Sequence, residues 1–465
     1  MTEKEDLSKK IEDSKKFSIK DSVSVNATVG FGDNYISAYA IELNATPHHI
    51  GLLTSIPNLI APLAQLFTSR FMKKYSRKKI FSVSILIQSL IWIPIILTAM
   101  IFLNQEKYAI EFLILFYTIY AFLGNFASPA WVSWIGDLTE QKDSGKFFGK
   151  RNKFGGISAL ISLIIAGLLL DIFRKYSSQK THLIFIGFFI IFLIAMIARL
   201  ISRHFVLKQY EPEFKFKNES YFSLKDFIKN IPNSNYGKFS LYIALIVLTS
   251  NIAGPYYSLY MLRDLNFSYM QYMIVSVSGA VASFIFVVKW GKFADELGNI
   301  KLLKITSMMI PLICFLWPLY IFIPSPFNFY FILFANFISG FAWAGFNLAA
   351  GNFVFDVATP QKRGLCSAYS SIMNGVGVVI GTTIGAILIS KNLFNLINSI
   401  MFVSIISGIA RYLISFMMIN KIKEVRETKE KYHWKKIPLA YEVFNANIYL
   451  KKGIDLFVKR KITSH

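Results

Sequence analysis

The chain predicts an all-α integral membrane fold, with twelve transmembrane helices in two pseudo-symmetric six-helix bundles. Three observations carry that prediction. Of the 465 residues 54% are hydrophobic and mean hydropathy is +0.46, with apolar residues gathered in long runs rather than in the stripes of a soluble core. Each run holds roughly 18–25 residues, enough to cross a hydrocarbon layer of about 30 Å. Second, Lys and Arg fall on alternate loops. Third, one basic-loop frame is written twice, SRFMKKYSRKK from Ser69 and GKFADELGNIK from Gly291, about 222 residues apart, as two homologous halves require.

In chain order, a charged segment (1–21) precedes the first half (22–206), whose apolar runs are 23–43, 49–71, 80–103, 109–135, 152–173 and 183–205. A polar linker (207–238) carries the helical-looking YFSLKDFIKNI. The second half (239–420) has runs 239–262, 269–290, 302–323, 329–355, 365–389 and 393–419, and a basic tail (421–465) follows. The first and seventh runs are the most polar of the set.

The net charge of +23 invites a nucleic-acid partner, but its distribution excludes one. Six Lys precede the first span, six basic residues lie in 70–79, five in 142–153 and twelve in 421–461, while the intervening loops are poor in them. That is the bias of cytosolic loops, so both termini are expected in the cytosol and the protein in the cell membrane. Base-stacking aromatics interleaved with cations on a soluble face are missing. The N-terminal segment has mixed charge and no small-residue cleavage pattern, so it does not read as a signal peptide. Cys314 and Cys366, both within predicted spans, read as packing residues.

Two further echoes support the repeat. DLTEQKDSGKFFGKRNKFGG from Asp137 and DVATPQKRGLCSAYSSIMNGVG from Asp356 share an Asp–x7–Gly frame, and IARLIS from Ile197 is matched by IARYLIS from Ile409. With the duplicated loop, this pattern resembles the major facilitator superfamily over nearly the whole chain. The family's loop reads G-x-x-x-D-[RK]-x-G-[RK]-[RK]. The second copy keeps Gly291, Asp295 and Gly298, with Lys301 one place late; the first replaces the acid by Lys73 but holds Lys74, Arg77 and Lys78. The resemblance implies a cytosolic gate in which the loop acid faces the N-terminus of a span in the other half. Asp295 would then face the start of span 5, near Lys150 and Arg151, where the helix dipole favours an anion. Lys73 has no such role, so an asymmetric gate is expected.

The resemblance also implies that spans 1, 4, 7 and 10 line a central cavity. Here they carry polar and aromatic stripes: Asn26, Asp33, Asn34 and Ser37; Tyr117, Tyr120 and Trp131; Asn251, Tyr256 and Tyr260; Asn336, Trp343 and Asn347. Unsatisfied polar groups facing lipid cost several kcal/mol, so such stripes belong on a cavity or a helix–helix seam. Asp33 is the sharpest of them, about eleven residues into span 1 and therefore roughly 16 Å deep. A carboxylate at that depth needs a partner or a task, and proton coupling is the task expected of it. The matching place in span 7, near Gly254 and Pro255, has no second acid. Arg199 and Arg411 are expected to snorkel toward headgroups; Glu42, Arg263 and Asp264 lie at outer ends where they could gate the cavity, though solvation at the membrane interface explains them. Gly377, Gly381 and Gly385 predict close helix packing.

No Walker loop, HExxH or Cys/His metal set is present, so no cofactor, metal or ATP-driven step is expected. Neither is an enzymatic activity. The expected function is secondary active transport of a small polar or amphipathic solute by a monomer contacting membrane lipids. Proton-driven efflux of drugs or metabolites, and a transport-inactive sensor or scaffold on the same fold, are the alternatives.

Overall fold

The computed structural model describes residues 3–104, 108–139, 144–177, 182–213, 223–324, 327–357, 363–391 and 398–425, and among these every regular element is helical. The predicted basic tail lies, beyond 425, outside the described residues. Eleven helical stretches are long and apolar enough to cross a membrane. Ten of them, spans 2–6 and 8–12, are α3 (Pro47–Met72), α4 (Arg77–Leu103), α5 (Ala109–Leu138), α6 (Ser144–Ser177), α7 (His182–Leu207), α11 (Tyr269–Leu297), α12 (Asn299–Leu319), α13 (Phe327–Val357), α14 (Arg363–Ser390) and α15 (Ser399–Met418).

The two remaining crossings are broken helices. Span 1 is α1 (Glu3–Phe31) followed by α2 (Ile36–Glu42), joined by a 3₁₀ turn over Asp33–Tyr35. Its interruption and its polar start deny it the apolar stretch that the eleven others have. Span 7 is α9 (Asn235–Asn251) followed by α10 (Tyr256–Leu259) and a π turn at Tyr260–Asp264. Both breaks have local causes. Gly32 leaves the helical basin at φ −112° and ψ −80°, and a Cβ there would lie 2.4 Å from the Trp92 ring. Pro255 ends α9 because proline offers no N–H and clashes with the preceding turn. Asp33 and Pro255 stand about 222 residues apart, the offset of the duplicated loop, so each half breaks its first span at the matching place.

The charged segment that precedes span 1 is helical and continuous with it in α1. Ser14 accepts from the Tyr210 amide at 2.7 Å and Phe17 stacks on Phe205, fastening α1 to the end of α7. In the linker, α8 (Leu224–Lys229) forms as the sequence predicts, because Ser223 and Asp226 cap it reciprocally. Those Ser223 bonds hold the Asp226 carboxyl below the usual carboxylate range.

Within each half, α1 packs on α6 and α7, and α9 on α14 and α15; across the halves, α3 packs on α14 and α6 on α11. Small residues permit the closest approaches. A Cβ at Gly340 would sit 2.0 Å from the Gly279 carbonyl oxygen, and Cβ atoms at Gly381 and Gly385 would sit 2.1 Å from carbonyls of α9. The glycine ladder of span 11 is thus the packing seam its spacing predicts.

Candidate functional site

The break in span 1 places Asp33 where helical hydrogen bonding fails and the backbone turns. Its carboxyl lies in the electrostatic neighbourhood of Tyr120 on α5 and Arg199 on α7. Oδ1 is shielded from solvent, with no hydrogen-bond partner among the described residues. Trp92 packs edge-on against Tyr120 with ring centroids 5.4 Å apart, sealing the side toward α4. Asn34, the next residue, is exposed, and Ser37 a turn later is half-buried. The break therefore presents an acid to the interior of the half-bundle and an amide to its open side.

Arg199 does not snorkel. It is 6% exposed, its Nε and Nη2 donate to Gln88 Oε1 and its Nη1 to Ser202 Oγ at 3.4 Å. Gln88 is fixed in turn by donating to the Tyr120 carbonyl at 2.8 Å. Arg411, its echo in the second half, is equally buried, and its Nη2 donates to the Ser250 carbonyl at 3.2 Å, just before the break in span 7. The shared IAR motif thus places one buried arginine inside each half, and Arg411 bonds to the helix that breaks. An arginine two or three turns from a helix end stays inside when partners are closer than the headgroups.

The predicted cavity residues divide into two groups. Asn34 and Asn347 are exposed, and Ser37, Tyr117, Trp131 and Trp343 are half-buried. Asn26, Asn251 and Asn336 are half-buried too, but their amides bond to protein carbonyls, and Tyr120, Tyr256 and Tyr260 are buried. Asn26 donates to the Ser22 carbonyl at 2.8 Å and abuts Gly155; Asn251 donates to the Val247 carbonyl at 2.8 Å. Asn336 donates across to the Val275 carbonyl of α11. Tyr256 is fully buried, donating to the Thr382 carbonyl at 2.6 Å, with its hydroxyl close over Gly51. Tyr260 is buried beside Trp317 and Tyr320. A helical stripe wider than the open face also turns some of its residues toward neighbouring helices, as Asn336 and Tyr256 do.

At the basic face the loop residues form a clasp within each half. Arg77 is fully buried; its Nη1 donates to Asp137 and to Ser133 Oγ, its Nη2 to the Pro212 carbonyl at 3.1 Å, and its amide to Glu211 at 2.8 Å. Lys78 donates to the Gln209 carbonyl at 2.7 Å. In the second half Asn299 donates to Asp356 at 2.6 Å and the Ile300 amide to Glu424 at 2.8 Å. Gly298 makes the turn between α11 and α12 with φ 93°, which only glycine adopts freely. The repeated Asp137 and Asp356 are therefore acceptors for the loop of their own half. Arg151 pairs with Asp21 at 3.2 Å and covers the Trp131 ring at 4.5 Å, while Lys74, Lys150, Asp295 and Lys301 are exposed and Gly291 faces Leu348.

A family model described as Major Facilitator Superfamily matches residues 25–233 and 239–452. The chain belongs to the major facilitator superfamily. It is a multi-pass membrane protein of a transporter family and not an enzyme. No curated protein sequence matches it significantly. Among solved structures of the superfamily fold, the nucleoside transporter NupG superposes with a TM-score of 0.62 at 16% identity, covering 89% of this chain and 100% of that one. A bacterial metal transporter gives 0.62 at 12%, covering 88% and 98%. A bacterial homologue of the iron transporter ferroportin, in an outward-facing state, gives 0.59 at 13%, covering 88% and 98%. At such identities the likeness is one of fold.

The halves are also joined at the face opposite the basic loops. Asp171, late in α6, accepts from the Tyr269 and Met270 amides at 2.7 and 2.8 Å, capping the N-terminus of α11 in the other half. Arg174 donates to the Phe267 carbonyl at 2.9 Å and lies over the Tyr269 ring, and the Tyr269 hydroxyl donates to Glu42. Glu42, explained in the sequence by solvation at the membrane interface, is thus part of a contact between halves. Asp171, Gln88, Asp21 and the clasp acids Glu211 and Glu424 were not among the candidates. Only the IAR echo and the matching Asp137 and Asp356 offered a signal for this network. Among the described residues no cluster of His, Cys, Asp or Glu suits a metal ion.

Proposed function

We propose that the chain is a secondary active transporter that moves a small polar or amphipathic solute by alternating access, with proton coupling through Asp33. The observation that carries this is the helix break at Gly32, which holds a carboxylate beside Tyr120 within reach of Arg199. Discontinuous helices at midplane depth are where transporters of this kind bind solutes and ions. Asn34 and Asn347 are exposed at positions where a lipid contact would leave amides unsatisfied, which supports a wet cleft between the halves. Tyr117, Trp131 and Trp343 would supply aromatic contacts there.

The Asp171 cap closes one face, which fits a conformer open toward the basic side. That side is the cytosol if the loop charges obey the usual bias, and the cell membrane is the expected location. When the basic face closes in turn, Asp295 would meet the start of α6 near Lys150 and Arg151. The test uses proteoliposomes with an imposed pH gradient and a solute identified by thermal-shift screening. Asp33→Asn should abolish gradient-driven accumulation while solute exchange continues. Accumulation at the wild-type level would remove Asp33 from the coupling step.

A further inference from the structure

A second acid, this one fully buried, stands on the same crossing as the half-buried Asp33. Asp21 is 1% exposed; its Oδ1 accepts from Ser202 Oγ at 2.7 Å and its Oδ2 from Arg151 Nη2 at 3.2 Å. Ser202 also accepts from Arg199, so Arg199 is joined to Asp21 through one hydroxyl. The same guanidinium is within electrostatic range of both carboxylates. The groups facing Asp21 are Arg151, Ser202 and Arg199, and those facing Asp33 are Tyr120, Tyr117 and Arg199. Gln88 grips Arg199 from the side by Oε1 and leaves it no route to the headgroups.

The charge count is informative. With both acids ionised, Asp21, Asp33, Arg151 and Arg199 sum to zero, the cheapest state for charges removed from water. A proton on Asp33 leaves one positive charge in excess, and Arg199 then has a single carboxylate to lean on. The affinity of Asp33 for that proton therefore depends on how strongly Asp21 holds Arg199.

We propose that Asp21 is the second carboxylate of the proton site, and that Arg199 is a counter-ion shared between Asp21 and Asp33, a positioning residue that sets the proton affinity of Asp33. The proposal rests on Asp33 being the proton site. Proton binding forms an O–H bond on Asp33 with a proton taken from water, Arg199 shifts toward Asp21, and release reverses the shift.

The experiment needs no solute. Purified full-length protein in lipid nanodiscs is titrated with acid while tryptophan fluorescence is followed, Trp92 reporting from beside Gly32 and Tyr120. The midpoint that Asp33→Asn abolishes belongs to Asp33. Asp21→Asn should lower that midpoint by about one pH unit, a tenfold weaker proton affinity, because Arg199 is freed for ionised Asp33 and a neighbouring negative charge is gone. Arg199→Gln should raise it by a similar amount. If Asp21→Asn does not fold, Ser202→Ala breaks the bridge without changing charge and should lower the midpoint in the same sense. A midpoint unmoved by Arg199→Gln and by whichever of Asp21→Asn and Ser202→Ala folds overturns the shared counter-ion while leaving Asp33 as the proton site. A titration that survives Asp33→Asn removes the proton site itself and this inference with it. A purely structural role would lower thermal stability without moving the midpoint.

Discussion

Arg77 shows how a single residue holds the basic face together. Its guanidinium is fully buried, with Asp137 half exposed and Glu211 only 15% exposed. Removing Arg77 leaves Glu211 mostly buried without its cation, a loss that costs up to about 3 kcal/mol for a buried pair, while the more exposed Asp137 is rehydrated. Arg77→Ala should therefore lower the melting temperature sharply in detergent. Asn299→Ala, at the matching place of the second half, removes a single bond to a carboxylate and no buried charge, and should cost less, about 1.5–2 kcal/mol. Equal losses would show that the two clasps do not differ as their chemistry predicts. At this scale the sequence was least informative: Arg77 reads as a retained residue of the basic loop, and its partners Asp137, Ser133 and Glu211 emerge only in the fold. Arg199 was misjudged for the same reason, since Gln88 is more than a hundred positions away along the chain.

At the scale of elements, two devices recur: broken first helices and caps on helix N-termini. The Asp171 cap couples a carboxylate to the positive end of α11 and ties α6 to the other half. A charge–dipole contact of this kind contributes about 1 kcal/mol. Asp171→Asn keeps an acceptor but removes the charge, so the population open at that face should rise roughly fivefold. The check is maleimide labelling of Asn34→Cys, in a background where Cys314 and Cys366 are serine, from the face opposite the basic loops. An unchanged labelling rate would mean the cap does not bias the conformers. The breaks were half legible. Gly254 and Pro255 announce the second, whereas Gly32 alone does not distinguish a kink from a packing glycine; Trp92 lying over it decides.

For the whole molecule, the contacts between α3 and α14 and between α6 and α11 hold the halves together independently of the linker. Chains 1–213 and 223–465, co-expressed as separate polypeptides, should therefore co-purify and retain a common melting transition. Glu211 and Pro212 stay with the first half, so its clasp survives the cut. Failure to co-purify would assign the cohesion of the two bundles to the covalent connection instead.

By itself the sequence determined the membrane class, the number of crossings, the doubled half and the family. These depend on hydrophobic length, loop charge and repeat offset, all of which are additive along the chain. Only the tertiary structure decided which polar residues remain open and which bond to a neighbouring helix. It also decided that Arg199 serves the interior and that one face is latched by Asp171. Those outcomes depend on helix rotation and on partners distant in sequence, and a stripe of residues at helical spacing specifies neither.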